Sequence, residues 1–239
     1  MMNTFHNPTF LERVAEHMVQ NFGDNFQNVA VVFNNQRPAQ YLNHALAKKL
    51  NKVFWSPQYF TIQDFVARGS DKMEMNSITQ AFHLLEVYFE AVREEKNYTL
   101  EDYSELMPLA ELILQDFAQI DYELVSVSEI FQYLIELGEI DRKFDYLTEE
   151  QKEYLKRFWS SFSDNRQTEI QDKFLNIWRK MPLIYEGFHQ KLEKEGYSTI
   201  PKTYRNLAEN QQLIESHLND FKAVLFVGFN ALNACEKHF

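Results

Sequence analysis

The sequence predicts a mixed α/β fold, in which a small parallel sheet with covering helices is interrupted by an inserted α-helical subdomain. Apolar, strand-type runs lie near opposite ends of the chain, at 28–33 and 222–227. Helix and strand signals alternate up to about residue 69, a pattern typical of parallel sheets with crossover helices. Only helix signals follow until about residue 199. We therefore expect residues 1–69 and 200–239 to form the α/β part and residues 70–199 to form the helical part.

The first two helices are indicated by their start signals. Thr9 and Glu12 have the spacing of a capping box, in which a hydroxyl and a carboxylate each bond a backbone amide at the helix start. This helix should run to about Asn21, ended by Gly23. Pro38 favours the first turn of the next helix. The apolar residues expected to face inward are Phe10, Val14, Met18 and Phe22 in the first helix, and Tyr41, Leu42, Ala45, Leu46 and Leu50 in the second.

A second strand is predicted at 53–55, where Val-Phe-Trp combines apolar and aromatic residues. Thr61 and Asp64 then predict a helix N-cap with a carboxylate in the first turn. The order up to this point is α-β-α-β-α.

The middle of the chain is predicted to be a bundle of five or so helices without a convincing strand. Capping-box spacings begin at four residues, which are Ser77, Ser126, Thr148 and Thr168. Gly138 and Gly196 lie where helices would end. Pro108 and Pro182 are expected to kink their helices or to lie in a first turn.

Composition bounds the function classes. The chain has 35 Asp and Glu against 24 Lys and Arg, a net charge of −11, so long-range repulsion opposes DNA binding by the whole surface and leaves only a local basic patch. No apolar run is long enough for a membrane span and no signal-peptide pattern opens the chain.

The seven histidines contain no i, i+4 pair, so no metal site is expected. The single cysteine, Cys235, excludes an internal disulfide; we expect a buried thiol and a cytoplasmic protein.

Several segments carry a resemblance to one protein family. Residues 33–42, Phe-Asn-Asn-Gln-Arg-Pro-Ala-Gln-Tyr-Leu, resemble motif Ia of superfamily 1 helicases, which contacts the single-stranded DNA backbone. Residues 55–65 are similar to the segment that follows in AddB and RecC proteins. Residues 226–236, Phe-Val-Gly-Phe-Asn-Ala-Leu-Asn-Ala-Cys-Glu, resemble the Walker B region of AddB-type subunits, and the stretch 187–205 resembles the region before it. The chain is thus similar to the N-terminal helicase-like region, domains 1A and 1B, of AddB/RecC-type proteins of the bacterial PD-(D/E)XK nuclease family.

Departures from that family affect its nucleotide motifs. Residues 1–8 contain neither Gly nor Lys, so the phosphate-cradling Walker A loop is missing. Val227 stands where the family has the Mg²⁺-organising Asp, and valine cannot hold magnesium. The resemblance therefore implies a vestigial nucleotide site at Val227, Gly228 and Glu236, with no catalytic residues and no cofactor. The nuclease of such a protein would lie beyond residue 239, in a parent protein with exonuclease activity.

The resemblance implies a non-catalytic module of a helicase–nuclease for double-strand break repair and recombination. Its partners would be an AddA-type helicase–nuclease subunit, later domains of its own chain and single-stranded DNA. The residues expected to contact DNA are Asn34, Asn35, Gln36, Arg37 and Trp55. The chain ends at residue 239 just as a helix should begin, so we expect it to be a piece of a longer protein.

Alternatives remain open for individual residues and for the function. Arg37 is either a phosphate contact or an exposed arginine at a helix start, and the polar residues before it either contact DNA or cap the helix. Trp55 is either a stacking platform or a core aromatic, and Glu236 either a remnant acid or a solvated helix residue. The rival functions are an acidic protein–protein scaffold without DNA contact and a divergent ATPase.

Overall fold

The computed structural model describes residues 7–93, 99–138 and 167–239. The chain divides into two compact units. The first, here called the α/β unit, consists of Met1–Asp71 and Lys202–Phe239, and the second, the helical unit, consists of Lys72–Pro201. The described residues have a mixed α/β fold with a small parallel sheet between helices, as predicted.

The sheet of the α/β unit has three parallel strands, which are β1 (Val29–Phe33), β2 (Gln58–Thr61) and β5 (Ala223–Phe226). Their order in the sheet is β2-β1-β5. Every residue of β1 is buried, because this strand has a neighbour on each side and helices on both faces. Val31 lies opposite Tyr59 on one side and Leu225 on the other.

Helices cover both faces of this sheet. α1 (Phe10–Phe22) and α2 (Arg37–Leu50) pack on the face that presents Val29, Val31 and Phe33. The opposite face is covered by aromatic contacts from α3 (Ile62–Arg68), whose Phe65 ring lies 5.9 Å from Phe60 and 5.7 Å from Phe226 between centroids.

The second strand lies later in the chain than predicted. Val53 is 99% exposed, and Trp55 contributes only an isolated bridge to Asn25, so residues 53–55 are not a strand of the sheet. Pro57 has no N–H to donate to a ladder, and β2 begins directly after it. The strand ends at Thr61 because that side chain accepts a hydrogen bond from Asp64 N, which starts α3 as predicted.

Inward-facing residues agree with the prediction only in part. In α2, Leu42 and Leu46 are fully buried, but Tyr41 is 69% exposed, because the helix buries a narrower stripe than the pattern suggested. In α1, Met18 is buried, whereas Phe10 is 52% exposed. The last strand, predicted as a buried strand at 222–227, instead forms an edge of the described sheet as β5, and its residues are half-buried apart from Phe226, which is 40% exposed.

The helical unit has its own apolar core. Its described helices are α4 (Ser77–Tyr88), which continues as a π-helix over Phe89–Arg93, α5 (Leu100–Tyr122), α6 (Val127–Gly138) and α7 (Gln167–Lys194). Pro108 lies inside α5 and Pro182 inside α7, rather than in a first turn. Gly196 follows α7 with φ +82°, as expected for a glycine after a helix end. The chain continues through α8 (Ile200–Ala208) and α9 (Gln211–Leu218) to β5 and a 3-10 helix at Cys235–His238.

Two features of this unit differ from the prediction. A two-residue strand, β3 (Met73–Glu74), pairs in parallel with β4 (Tyr197–Ser198), and segments this short give no strand signal in the sequence. The cap of α4 is Asn76 rather than Ser77, since its side chain accepts from Thr79 N at 3.0 Å.

The other predicted caps have different outcomes. The Thr9 capping box is confirmed, with Thr9 N donating to Glu12 Oε2 at 2.8 Å. Ser126 Oγ accepts from Glu129 N at 3.5 Å, which is longer than an ordinary N–H···O hydrogen bond. Thr148 lies outside the described residues. Thr168 is already inside α7, and its side chain is not among those described.

Candidate nucleic-acid interface

The carboxyl ends of the three strands form the edge at which open parallel sheets bind ligands. β1 runs directly into Asn34–Arg37, and β5, its neighbour, runs into Val227 and Gly228. The structure thus brings the predicted DNA-contacting turn and two residues of the predicted vestigial nucleotide site to one edge of one sheet.

The turn between β1 and α2 is open to solvent. All four of its residues, Asn34, Asn35, Gln36 and Arg37, are exposed. Asn35 Oδ1 accepts from Arg37 N at 3.1 Å, which holds the turn, and no side chain caps α2.

The electrostatics of this edge favour an anion at α2. A helix start carries a partial positive charge. In α1 and α3 that charge already faces a carboxylate of the helix's own first turn, Glu12 and Asp64 respectively. α2 has no acidic residue in its first turn and has Arg37 there instead.

The predicted vestigial nucleotide residues have local structural roles. Val227 is buried in the core against α1 and α2, and its N–H donates to Val32 O at 2.9 Å. Gly228 adopts φ +80°, a conformation that other residues rarely take. Glu236 is half-buried rather than solvated, and it forms a reciprocal cap with Asn233 through bonds of 2.8 and 3.1 Å.

Trp55 lies at the amino-terminal end of the sheet, whereas the turn lies at the carboxyl end. Its backbone bridges to Asn25, ahead of β1, whereas Asn34 follows β1. A five-residue strand is about 17 Å long, so the structure does not place Trp55 beside Arg37. The indole is 66% exposed, which excludes the alternative of a core aromatic.

The outer face of α2 connects these two ends of the sheet, and no sequence motif indicated it. Arg37, Tyr41, His44 and Lys48 follow each other at spacings of four, three and four residues, so they share one side of the helix. All four are exposed. The segment that carries Trp55 is attached to the flank of α2, because Ser56 Oγ donates to Asn43 Oδ1 at 3.3 Å.

The local charge of this region differs from that of the chain. Residues 25–63 contain four Lys and Arg and no Asp or Glu. Lys49 pairs with Glu16 at 3.0 Å, and Lys52 pairs with Asp24, which lowers the pKa of that carboxyl. Arg37 and Lys48 form no ion pair with any described residue. The acid-free stretch is the sequence signal that would have identified this surface.

A second polar cluster is buried in the helical unit. The Tyr185 hydroxyl donates to Asp121 Oδ1, and His189 Nε2 lies 3.5 Å from Asp121 Oδ2. Asp121 and His189 line a cavity of about 40 Å³, whose small size suits water rather than an organic ligand. Within the described ranges, no three His, Cys, Asp or Glu side chains are grouped to hold a metal ion. Cys235 is fully buried, as expected.

Comparison with known proteins gives no assignment, since no protein-family model and no curated protein sequence matches the chain. Among the helices that the structure describes, none combines the length and apolarity needed to cross a bilayer.

Proposed function

We propose that this chain is a non-catalytic, helicase-like module that guides single-stranded DNA in a larger AddB/RecC-type subunit. In this proposal the α/β unit corresponds to the P-loop-type domain 1A and the helical unit to an inserted 1B-like subdomain. The observation that carries it is the outer face of α2, where Arg37 and Lys48 lie exposed in the acid-free part of an acidic chain and pair with no acid among the described residues.

This face has the chemistry that single-stranded nucleic acid requires. Arg37 and Lys48 are separated by eleven residues, about 16 Å along a helix, and each can bind a backbone phosphate. Tyr41 and Trp55 are 69% and 66% exposed, so bases can stack on their rings. Stacking favours a single strand because the faces of its bases are accessible.

The absence of catalysis is supported by the local roles of the nucleotide-motif residues. The Thr9–Glu12 capping box occupies the start of α1. Its Glu12 carboxylate would repel a phosphate at this position. The Val227 side chain packs in an apolar core and offers no oxygen to magnesium. A divergent ATPase would need phosphate and metal ligands from elsewhere in the chain.

The biological setting follows from the resemblance. The module would act in the cytoplasm in double-strand break repair and recombination, beside an AddA-type helicase–nuclease subunit and later domains of its own chain, and the parent protein would be an exonuclease. Its net charge of −11 confines the DNA contact to the α2 face.

Fluorescence anisotropy with a labelled 20-nucleotide oligo-dT tests the DNA contact. The double variant Arg37→Ala with Lys48→Ala should bind at least tenfold more weakly at 50 mM salt, and the slope of log K against log salt should fall by about 1.4, since two phosphate contacts are lost. Trp55→Ala and Tyr41→Ala should each weaken binding by about 1–3 kcal/mol if a base stacks there.

A charge-matched control separates a site from general electrostatics. Arg179 and Lys194 are exposed cations of the helical unit, and their double alanine variant makes the same change in net charge. Equal weakening in both double variants, or no salt-dependent binding by the native chain, would contradict the proposal and favour the acidic scaffold without DNA contact.

A further inference from the structure

The outer edge of β5 has backbone groups that no strand of the described sheet pairs. β5 has β1 as its one neighbour there. Val227 N donates to Val32 O, and pairing directions alternate along a parallel strand. The N–H and C=O groups of Val224 and Phe226 therefore point away from β1. Ala223–Phe226 contains neither a proline nor a charge, the features by which edge strands usually avoid pairing.

An open groove of about 410 Å³ runs between this strand and α1. Most of the side chains that line it are apolar, namely Phe10 and Val14 from α1 and Leu225, Phe226 and Val227 from the β5 segment. Phe10 is 52% exposed and Phe226 is 40% exposed. The groove thus offers apolar side-chain contacts beside backbone groups that can form a ladder.

The polar residues of the groove give it a positive character. Arg13 and His17 lie on its α1 side, and none of the described residues that line it carries a carboxylate. His17 is in contact with Asn21, one turn away, whereas Arg13 forms no ion pair with any described residue. An occupant with a carboxylate near Arg13 therefore complements the groove in charge as well as in polarity.

We propose that β5 and this groove bind an extended strand of a partner protein, which has apolar residues at alternate positions and an Asp or Glu opposite Arg13. The strand adds to the sheet through backbone hydrogen bonds, while the groove selects its side chains. This inference does not depend on DNA binding, since it involves neither α2 nor Trp55.

The charges argue against two other occupants. A second copy that pairs edge to edge through β5 presents its own Arg13 to the groove, so like charges meet there, and each copy has a net charge of −11. Residues 1–6, Met-Met-Asn-Thr-Phe-His, contain no acidic residue. A strand from a different protein can bring an Asp or Glu to Arg13.

Selection from a random 12-residue peptide library displayed on phage tests this inference. The native full-length chain is the target, and the Val224→Pro variant serves for counter-selection, because its lost N–H points outward and the β1 ladder stays intact. Enriched peptides should alternate apolar residues and contain Asp or Glu. A synthetic peptide of the enriched sequence should bind at least tenfold more weakly to Arg13→Glu and within threefold of native to Arg13→Lys.

Two controls keep folding separate from binding. Val53→Pro changes a fully exposed residue outside the groove and should leave peptide affinity unchanged. Arg13→Glu alters an exposed side chain, so its far-ultraviolet circular dichroism and urea midpoint should match those of the native chain.

Failure of enrichment above the counter-selected background would overturn the inference. Enriched peptides that bind the Arg13→Glu variant as tightly as the native chain would also overturn it. If light scattering instead shows a concentration-dependent dimer that Val224→Pro abolishes, a second copy occupies the edge and the proposed partner strand is wrong.

Discussion

Asn76 determines where α4 begins, although the neighbouring serine matches the sequence pattern better. Its Oδ1 accepts from both Thr79 N and Thr79 Oγ1 at 3.0 Å. Asn76→Ala should therefore lower the free energy of unfolding by about 1 kcal/mol, the usual cost of losing an N-cap. Ser77→Ala should change it by less than about 0.5 kcal/mol, since that side chain caps nothing. Urea unfolding of both variants measures the difference, and equal effects would restore Ser77 as the cap.

His217 makes the stability of the α/β unit depend on pH. The side chain is 7% exposed, its ring centroid lies 4.4 Å from that of Phe65, and burial lowers its pKa below the ordinary value of 6.5. Between the two pKa values the unfolded chain binds the proton more readily than the folded one. The stability that the buried, neutral His217 contributes is therefore complete above pH 6.5. It is lost as the pH falls toward the pKa of His217 in the folded chain.

The variant His217→Gln removes this titration. The free energy of unfolding of the native chain, relative to that of the variant, should fall between pH 7.5 and pH 5.5, by at most about 1.4 kcal/mol per pH unit. Urea titrations at the two pH values measure it. His44→Gln, a change at an exposed histidine of α2, controls for the loss of a histidine. A relative stability that is constant over this range would show that His217 titrates alike in both states.

Residue-level patterns predicted the caps at Thr9 and Thr61 correctly, missed the cap of α4 by one residue and predicted exposure poorly. The caps at Thr9 and Thr61 need only the three residues that follow, so spacing identifies them. Whether Tyr41 or Trp55 is buried depends on where a distant helix or strand packs, and neither residue type decides it. Both aromatic residues of the candidate interface are exposed for that reason.

Close packing of α4 against α7 depends on Gly187. A Cβ at this position would lie 2.9 Å from Cγ1 of Val87, whose branched side chain has little rotamer freedom. Alanine favours a helix by about 1 kcal/mol over glycine, but overpacking costs about 1–3 kcal/mol. Gly187→Ala should therefore destabilise the helical unit.

A double-mutant cycle with Val87→Ala tests this contact. Removing the valine methyls relieves the clash, so the double variant should be more stable than the sum of the single changes predicts, by at least about 0.5 kcal/mol. Additive effects would show that the helices separate to accommodate the methyl group.

Strand predictions were correct where the sequence of the segment itself determines the strand. They were wrong where pairing with a neighbouring strand determines it. β1 is apolar throughout and lies at the centre of the sheet, as its sequence indicates. β2 was misplaced because Val53–Trp55 is more apolar than Gln58–Thr61, yet Pro57 and the Thr61 cap confine the ladder to the later segment. The edge position of β5 depends on which strands pair with it, and periodicity does not contain that information.

The two units of the chain have separate apolar cores. The core around β1 draws its buried residues from α1, α2, the sheet and adjoining segments, all within the α/β unit. The core of the helical unit is built from α4, α5, α6 and α7 and their neighbours. Among the described residues, the buried side chains of each core come from its own unit.

The chain passes between the units twice, and the two passages approach each other at β3 and β4. Met73 lies opposite Tyr197 in parallel register, and Met73 N donates to Gly196 O at 3.1 Å. Replacing residues 72–201 by a six-residue Gly-Ser linker, which spans about 13 Å on average, should therefore leave a folded α/β unit. Circular dichroism and urea unfolding should show a single cooperative transition, and oligo-dT affinity should stay within threefold of the full chain if α2 carries the binding face.

A gradual transition with strong binding of a hydrophobic dye would mean that the α/β core depends on the helical unit. A cooperative fold without affinity would instead place the nucleic-acid contact in residues 72–201 and contradict the assignment to α2.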